Sequence, residues 1–572
     1  MADFDIPKVV GEDGLLDVPK LQPDAMKGHG PWVSKPEFQE DMHFPTDFTM
    51  PENVENYGDA NTLVENWKDR ALEKMGDLKG RYRSLQVFLD ICVKCGACTD
   101  KCHYYIGTSD PKNMPVARQD LLRKVYRRYF TFAGKFFGKV GMPGFVGAAE
   151  LTEDVVKDWY NYYHQCSQCR RCSVFCPYGI DTAEISMAAR EILDHIGMGQ
   201  KYCTEIMGKL NKIGNNLGLP EAALADTLEG LEEDIFDETG VEVKLPLDKK
   251  GSDILLVTPS ADFFAEPHVD GLMGYAKVFH ELGLDFTLSS YASEGANFGM
   301  FIGSYENMRK VSLRIRKAAL DLGVKRIVFG ECGHAWRVAY NFLNTLAGPF
   351  DFLDQDYPIP QHILEITEPA LAEGKLNIDK SANDDMVLTF HDSCNIARGS
   401  RMGAKPGGQF DIPRNVIKAV CNNFVDMPAD TIHDATFCCG GGGGILTDDL
   451  MEIRIKGAQP RMEALKHVTE HHKVTHMAAI CAICKSQFTK VIPYYGFTMD
   501  MIVSVHQLVS SAIVLKGQLT AEEIEARDAA EEAEWAAARE KAAAEKAAKE
   551  AKEAESKGDA AVTDKEPKDK AK

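Results

Sequence analysis

Eight of the sixteen cysteines form two runs with the same spacing, Cys-x2-Cys-x2-Cys-x3-Cys. The first run contains Cys92, Cys95, Cys98 and Cys102, and the second contains Cys166, Cys169, Cys172 and Cys176. Three cysteines spaced in this way supply three thiolates to one cubane, and the fourth reaches the neighbouring cluster. We therefore predict two [4Fe–4S] clusters, one held by Cys92, Cys95, Cys98 and Cys176 and the other by Cys166, Cys169, Cys172 and Cys102.

Structural zinc is the main alternative for clustered cysteines. Zinc favours paired Cys-x2-Cys knuckles that complete one tetrahedral set of four, and it has no use for the two further cysteines that each run contains. Disulfides are disfavoured because cytosolic thiols are kept reduced. The runs therefore favour iron–sulfur binding. Pro177 follows the second run as expected, whereas His103 takes the place of the proline after the first.

A second constellation of cysteines lies further along the chain, at Cys394, the pair Cys438-Cys439, and Cys481-x2-Cys484. The pair opens a run of five glycines at 440–444, which can adopt unusual backbone angles and approach a cofactor closely. Five thiolates exceed the need of a simple cubane. This surplus predicts an unusual cluster with a ligand position that can open for chemistry.

Alternating strand and helix patterns surround this second constellation. ILLVTPS (254–260), DFTLSS (285–290) and the strand that ends RKAALDLGVKRIVFGEC (316–332) read as strands joined by helices. A second series runs from MVLTFHDSC (386–394) to HMAAICAIC (476–484) and a final helix at 499–515. Beyond residue 517 the composition is mostly Ala, Glu and Lys, which predicts a single solvated helix or disorder.

The order of these motifs resembles the CCG-domain iron–sulfur proteins, the family of heterodisulfide reductases and of glycolate- and lactate-oxidising iron–sulfur proteins. His391-Asp392-Ser393-Cys394, with Arg398 after it, is also similar to the family's entry strand. The resemblance covers roughly 85–515 and implies an α-rich α+β fold, in which a helical dicluster ferredoxin-like domain is followed by two α/β CCG-type repeats. It also implies that Cys394, Cys438, Cys439, Cys481 and Cys484 hold a catalytic [4Fe–4S] cluster.

The first repeat has lost most of its cysteines. Aligning IVFGECGHA (327–335) with AICAICKSQ (479–487) places Cys332 opposite Cys484, while Ser293-Glu294-Gly295 stands opposite the CCG turn and Ser260 near Cys394. We therefore expect a degenerate repeat that covers the second one, and one catalytic cluster rather than two. Cys332 is either a relic in the core or a cysteine that faces the cluster of the second repeat.

These patterns divide the chain into six predicted segments. They are an extended N-terminal arm at 1–84, the dicluster domain at 85–205, a helical linker at 206–251, the degenerate repeat at 252–380, the intact repeat at 381–516 and the Ala/Glu/Lys-rich tail at 517–572.

Within the family, an intact dicluster domain with one working repeat resembles the heterodisulfide-reductase D type, and most of all the DsrK type. That resemblance implies electrons from quinol through a membrane cytochrome b subunit (DsrM-like) and a disulfide or trisulfide on a DsrC-like sulfur carrier protein. Three alternatives remain open: reduction of the coenzyme M–coenzyme B heterodisulfide, an iron–sulfur subunit of a glycolate or lactate oxidase, and a pure electron relay.

Charge and hydropathy limit the partners. The formal net charge of -21 argues against a nucleic-acid partner, because no excess of cations is available to neutralise phosphates. No secretory signal or membrane span is evident, so the expected location is cytoplasmic, peripheral on the inner face of the membrane through partner subunits. The basic and aromatic stretch 123–145 is read either as a surface that meets lipid or a membrane subunit, or as an ordinary helical insert packed on the clusters.

Overall fold

Helices dominate the part of the chain that precedes the sheets. The computed structural model describes residues 63–560. The helices before the first strand are α1 (Trp67–Arg81), α2 (Arg83–Ile91), α3 (His103–Thr108), α4 (Pro115–Phe130), α5 (Phe132–Lys139), α6 (Glu153–His164), α7 (Arg171–Val174), α8 (Thr182–His195), α9 (Lys201–Ile213) and α10 (Glu221–Thr239). Their shared core contains the fully buried side chains of Trp159, Tyr163 and Leu122, so apolar helix faces surround the two cysteine runs.

Part of the predicted extended arm is helical. Helix α1 buries Ala71, Met75 and Leu78 and packs against α8. These three positions recur at helical spacing and form one apolar face, which the Pro- and Asp-rich composition of the preceding segment obscured. The extended-arm prediction is therefore wrong for Trp67–Arg81, and the rest of it, before residue 63, lies outside the described residues.

Two small parallel sheets follow. The first has the strand order β2-β1-β3-β4, and parallel neighbours of this kind require crossover helices. Its elements are β1 (Ile254–Val257), α11 (His268–Glu281), β2 (Phe286–Thr287), α12 (Ala296–Ile302), α13 (Tyr305–Leu322), β3 (Arg326–Phe329), α14 (Gly333–Ala347), β4 (Gln361–His362) and α15 (Leu364–Ala372). All four residues of β1 are buried, as expected for a strand covered on both faces.

The second sheet repeats this arrangement. Its order is β5-β6-β7, and a parallel bridge between Leu388 and Phe424 adds backbone on the side of β5 where β2 lies beside β1. Its elements are β5 (Leu388–His391), α16 (Cys394–Ala397), α17 (Gly408–Val420), α18 (Met451–His472), β6 (His476–Ala479), α19 (Ala482–Val491), β7 (Ile502–Ser504) and α20 (Val505–Ala512). The predicted helix at 499–515 is thus partly wrong, because the β-branched pair Ile502-Val503 pairs with β6 as a strand.

The described residues form two units. The larger one holds the described chain up to Glu232 together with Val243–Val514, and the smaller holds Glu233–Glu242 and the described chain from Leu515 onward. The smaller unit contains α21 (Ala521–Ala560), a single long helix in which Trp535 is exposed. Within residues 63–560, no helix combines the length and apolarity that crossing a bilayer requires.

Candidate metal centres

The two cysteine runs share one backbone conformation. Lys94 and Gly96 in the first run have φ values of 58° and 80°, and Gln168 and Arg170, at the same two positions of the second, have 57° and 61°. Left-handed non-glycine residues are uncommon and cluster at functional sites. Their recurrence at matched positions indicates that both loops curl around the same kind of group.

A cavity lies inside the first run. Cys92, Cys95, Cys98 and Cys176 all line it, together with Cys172 of the second run. The wall also contains Val116 and other apolar side chains, and no carboxylate. Soft thiolate ligands without carboxylates suit an iron–sulfur cluster, so the donor set fits the predicted group.

The fourth cysteine of each run lies beside the other run. Cys98 interacts electrostatically with Cys176 as well as with Cys92, and Cys172 interacts with Cys102 and Cys166. Burial raises the pKa of the Cys98 thiol to about 11 and that of Cys172 to about 12. These unfavourable thiolates are stabilised when iron binds them, because a coordinating thiol is deprotonated.

Buried Arg118 supplies a positive charge beside the thiols predicted to bind the second cluster. Its Nη1 lies 3.5 Å from Cys102 Sγ. Burial alone would raise the pKa of Cys102, but Arg118 and then His103 lower it below its ordinary value. Sequence patterns gave no sign of Arg118, because its role depends on the fold of α4 rather than on spacing.

The second constellation is a continuous web of buried thiols. Cys394, Cys438, Cys439, Cys481 and Cys484 are all at most 2% exposed. Cys394 Sγ lies 4.0 Å from Cys438 Sγ, the Cys439 thiol interacts with those of Cys438 and Cys484, and the Cys484 thiol interacts with that of Cys481. Among the described residues no three His, Cys, Asp or Glu side chains are grouped to hold a single metal ion. The thiolates of a four-iron cluster bind different irons, so they need not converge on one point.

Cys438 also connects this web to the second run. It shares hydrogen bonds with Cys169 and Cys394, which are the main reasons why its pKa lies well below that of a free thiol. Cys169 is one of the predicted ligands of the second cubane. The thiols of the second run and those of the second constellation are therefore neighbours.

The glycine run at 440–444 forms the contact between the second cysteine run and the second constellation. Gly443 has a φ of 71°, and a Cβ there would lie 2.6 Å from the carbonyl oxygen of Cys166. Arg190 Nη1 donates to the Gly443 oxygen at 3.0 Å, and its Nη2 donates to the Cys166 oxygen at 2.6 Å. Only glycine permits this close approach of the two backbones.

Residues near the first run extend the same interface. His103 contacts the Gly457 carbonyl through Nδ1 at 2.7 Å and Ser167 Oγ through Nε2 at 2.8 Å, and the hydroxyl of Tyr104 donates to the Gly440 oxygen at 2.7 Å. The residue that replaces the usual proline thus joins the dicluster region to the second constellation. The only sequence signal for this role was the departure of His103 from the ferredoxin pattern.

The first sheet carries polar counterparts of the thiol site. Ser260 Oγ and Ser293 Oγ are 3.4 Å apart, in the places that Cys394 and Cys438 take beside the second sheet. Strand register pairs Val257 with Phe329 and His391 with Ala479. The alignment that put Cys332 opposite Cys484 is therefore wrong.

Cys332 corresponds to Cys481 instead. Each is the N-cap residue of the helix that follows its strand, and both have a φ of -135°. Cys332 shares a hydrogen bond with Cys481, whose own pKa is lowered by Cys332, Cys484 and His334 although burial would raise it. Cys332 is 1% exposed and faces the second constellation directly.

Two buried histidines lie near the second constellation, where a neutral or protonated imidazole can donate a proton to sulfur. His334 Nδ1 lies 3.5 Å from Cys481 Sγ. Burial lowers the pKa of His391 to about 3, so that ring remains neutral near pH 7, and it packs edge-on against Phe488. Of the two, His334 is the one in contact with a thiol.

A buried ion cluster joins the two sheets. Glu331 lies 3.5 Å from Lys485 Nζ and 2.7 Å from His506 Nδ1. Burial alone would raise the pKa of Glu331, but Lys485 and His506 lower it to about 2. Since buried charges require partners, this cluster fixes β3 against α19 and thereby the distance between Cys332 and Cys481.

Glu294 provides a pH-dependent test of this buried region. Burial raises its pKa from 4.5 to about 8, so the folded protein binds a proton that the unfolded chain has already released. Stability from this group is complete below about pH 4.5 and is lost as the pH rises towards 8. The free energy of unfolding of Glu294→Gln should therefore rise relative to that of wild type by about 1 kcal/mol per pH unit between pH 6 and 8.

Thermal unfolding of both proteins over this pH range measures that gain. Glu368→Gln, at a carboxylate whose hydrogen bond from Asn415 is exposed to solvent, serves as the control. A constant difference in melting temperature between Glu294→Gln and wild type would contradict the assignment of a neutral buried carboxyl.

Comparison with known proteins agrees with this geometry. Residues 88–180 match the family model of the 4Fe-4S dicluster domain, which defines an iron–sulfur electron-transfer protein. An Hdr-like menaquinol oxidoreductase iron-sulfur subunit 2 of Archaeoglobus fulgidus is 45% identical over 79% of this chain and 84% of its own length. A second such protein, from Archaeoglobus profundus, is 40% identical over 87% of this chain and 92% of its own.

The chain belongs to this family of Hdr-like menaquinol oxidoreductase iron–sulfur subunits, and it is an oxidoreductase. The D-type polypeptide of the dihydromethanophenazine:CoB–CoM heterodisulfide reductase of Methanosarcina mazei is 23% identical over 65% of this chain and 83% of its own length. The resemblance to heterodisulfide-reductase D-like proteins is thus confirmed, as are the dicluster domain and a mostly helical fold with small parallel sheets.

Proposed function

We propose that this chain reduces a disulfide or trisulfide at its second cysteine constellation, with electrons delivered through the dicluster domain. The contact between Cys169 and Cys438 carries this proposal, because it joins the predicted electron path to a separate buried thiol set. An electron relay alone would need no further set of thiols. The five cysteines and the glycine turn at 440–444 form the intact CCG repeat, and the first sheet belongs to the degenerate one.

Three clusters fit the donor sets. Two [4Fe–4S] cubanes lie in the dicluster domain, bound by the crossed sets of four cysteines, and one unusual [4Fe–4S] cluster is bound by Cys394, Cys438, Cys439, Cys481 and Cys484. That last group, when bound, accepts single electrons and offers an iron site to a substrate sulfur. The chain's own residues hold it away from water, since every one of its five thiols is buried.

The residues around Cys481 shape the reaction site. Cys332 and His334 both contact the Cys481 sulfur, so a hydrogen bond from either one would disperse charge as electrons arrive. His334 Nε2 is buried without a hydrogen-bond partner among the described residues, and it can hold the proton that a released thiolate takes up. Cys332 is a positioning residue for Cys481 in this scheme.

The family supplies the proposed partners. Two relatives are named as menaquinol oxidoreductase subunits, which supports quinol as the electron source and a DsrM-like cytochrome b protein as the donor at the inner face of the membrane. The DsrK-type resemblance supports a DsrC-like carrier protein as the bearer of the sulfide. The reduced clusters of the purified complex should therefore be reoxidised when the DsrC-type trisulfide is added, and not when the coenzyme M–coenzyme B heterodisulfide is added. The reverse result would contradict the proposed substrate.

Iron content tests the number of clusters. We expect about twelve irons per chain, because three four-iron clusters are bound. Chemical iron and acid-labile sulfide analysis of anaerobically purified protein measures this value. A content near eight irons, with both cubane signals intact, would remove the third cluster and with it the proposed reaction.

A further inference from the structure

Five apolar side chains that the fold does not bury lie close together in the insert between the two cysteine runs. Phe132 is 89% exposed and Phe145 80%, and Phe136, Val140 and Met142 are each more than half exposed. We call these five residues the apolar wedge. Arg123, Val125 and Tyr126 at the start of the 123–145 stretch are packed against the dicluster region, as the insert interpretation expects, whereas the wedge that follows them is not buried and calls for another explanation.

The wedge is one ordered surface rather than a set of isolated side chains. The ring of Phe137 packs on Phe136 at 5.4 Å and on Phe145 at 5.0 Å, which joins α5 to the turn Pro143–Val146. The Thr131 side chain caps α5 by accepting from Gly134 N at 3.1 Å. A Cβ at Gly134 would lie 1.8 Å from the Arg127 oxygen, so α5 is folded tightly back on α4.

The charge around the wedge is cationic although the chain is acidic. Residues 123–145 contain six Lys and Arg and no Asp or Glu, against a net charge of -21 for the whole sequence. Arg128 is paired with Glu150 and Lys124 with Asp120. Lys135 and Lys139 are exposed on α5 beside the wedge and form no ion pair with any residue between 63 and 560.

We propose that the apolar wedge inserts into the headgroup region of an anionic lipid bilayer. Exposed aromatic and aliphatic tips flanked by unpaired lysines are the composition of an interfacial membrane anchor. Lysine side chains place their charge at the lipid phosphates while their stems cover apolar surface. A protein groove would instead be expected to supply acidic partners for both lysines, and it is the alternative outcome of the test.

The apolar wedge lies at the end of a helix that also contacts the first cysteine run. Helix α4 carries Gln119, which lines the cavity of the first cysteine run, and Arg123, whose Nη1 donates to the Cys92 oxygen at 2.7 Å. At 1.5 Å per residue, the end of α4 at Phe130 lies about 16 Å further along the helix than Gln119. Insertion of the wedge would therefore hold the first cluster near the membrane surface. This step does not depend on the chemistry of the second cysteine constellation.

Vesicle binding by the full-length, cluster-loaded chain tests the inference. Wild type should sediment with vesicles of phosphatidylcholine and phosphatidylglycerol, and much less with pure phosphatidylcholine. Phe132→Ser combined with Phe145→Ser should weaken binding by about tenfold or more, because two aromatic rings that insertion would bury in the lipid are lost. Lys135→Gln combined with Lys139→Gln should weaken binding and reduce its dependence on salt.

Leu320→Ser combined with Tyr340→Ser removes two exposed apolar side chains elsewhere in the described chain and should leave vesicle binding unchanged. The paramagnetic signals of the two cubanes should be the same in all variants, which shows that each one is folded. Equal binding by the Phe132/Phe145 variant and this control would overturn the inference. So would a wild-type chain that ignores the vesicles and associates only with a membrane protein.

Discussion

Cys439→Ser should abolish turnover while leaving both cubanes intact. Cys439 is fully buried and contacts the thiols of Cys438 and Cys484, so its loss removes a ligand from the centre of the five-thiol set. The iron content should fall from about twelve to about eight per chain. In electron paramagnetic resonance of the oxidised protein, a signal that depends on added thiol should disappear, and reduction of the sulfur substrate should fall to background.

Cys421→Ser is the matched control. Cys421 is also buried, at 3% exposure, but its neighbours are Lys380, Asn383 and Asp384 rather than other thiols. It should keep about twelve irons, the thiol-dependent signal and full turnover. If Cys439→Ser kept both the signal and the turnover, the second constellation would be structural and the chain would be an electron relay.

Spacing indicates the shape of the two cysteine loops, because the conformation of a short loop is a local property. The two cysteine runs each carry their own geometry, which the matched left-handed residues at Lys94 and Gln168 illustrate. The strands β1, β3, β5 and β6 also lie within the segments predicted from the alternating strand and helix patterns. Chemistry and local pattern coincide at these places, and the sequence was sufficient for them.

Long-range pairings were beyond the sequence. Arg190 joins the Cys166 and Gly443 backbones, which are far apart along the chain, and no spacing rule connects them. The alignment of Cys332 with Cys484 was wrong for a related reason. Alignment by similar letters matched Phe329 with Cys481, whereas the sheets match Phe329 with Ala479, and a small register shift moves a side chain to another place in the site.

The proposed degenerate repeat has a structural role that this strand register supports. Its serines take the positions of two thiols, while Cys332 remains where the first repeat faces Cys481 of the second. Glu331, the residue before Cys332, supplies the buried charge that binds Lys485 and His506. We infer that the first repeat lost its own cluster and kept the contacts that position the cluster of the second.

Serine substitutions at the fourth cysteine of each run should show that this cysteine binds the cluster of the other run. Cys172 interacts electrostatically with both Cys102 and Cys166, so Cys102→Ser should alter the same cubane signal as Cys169→Ser. Cys176→Ser should alter the same signal as Cys95→Ser, because Cys176 and Cys95 line one cavity. Cys203→Ser, at a buried cysteine outside both predicted ligand sets, should alter neither signal. A shared signal change between Cys102→Ser and Cys95→Ser would contradict the crossing.

The same variants test the direction of the electron path. Cys169, a predicted ligand of the second cubane, interacts with Cys438 of the five-thiol set, so Cys102→Ser should stop quinol-driven reduction of the third cluster. Direct chemical reduction of that cluster should remain possible, because its own five ligands are unchanged. Freeze-quenched paramagnetic spectra after mixing with quinol should then show the first cubane reduced and the third oxidised. If the third cluster were still reduced at the wild-type rate, electrons would enter without passing the second cubane, and the contact between Cys169 and Cys438 would have no part in the reaction.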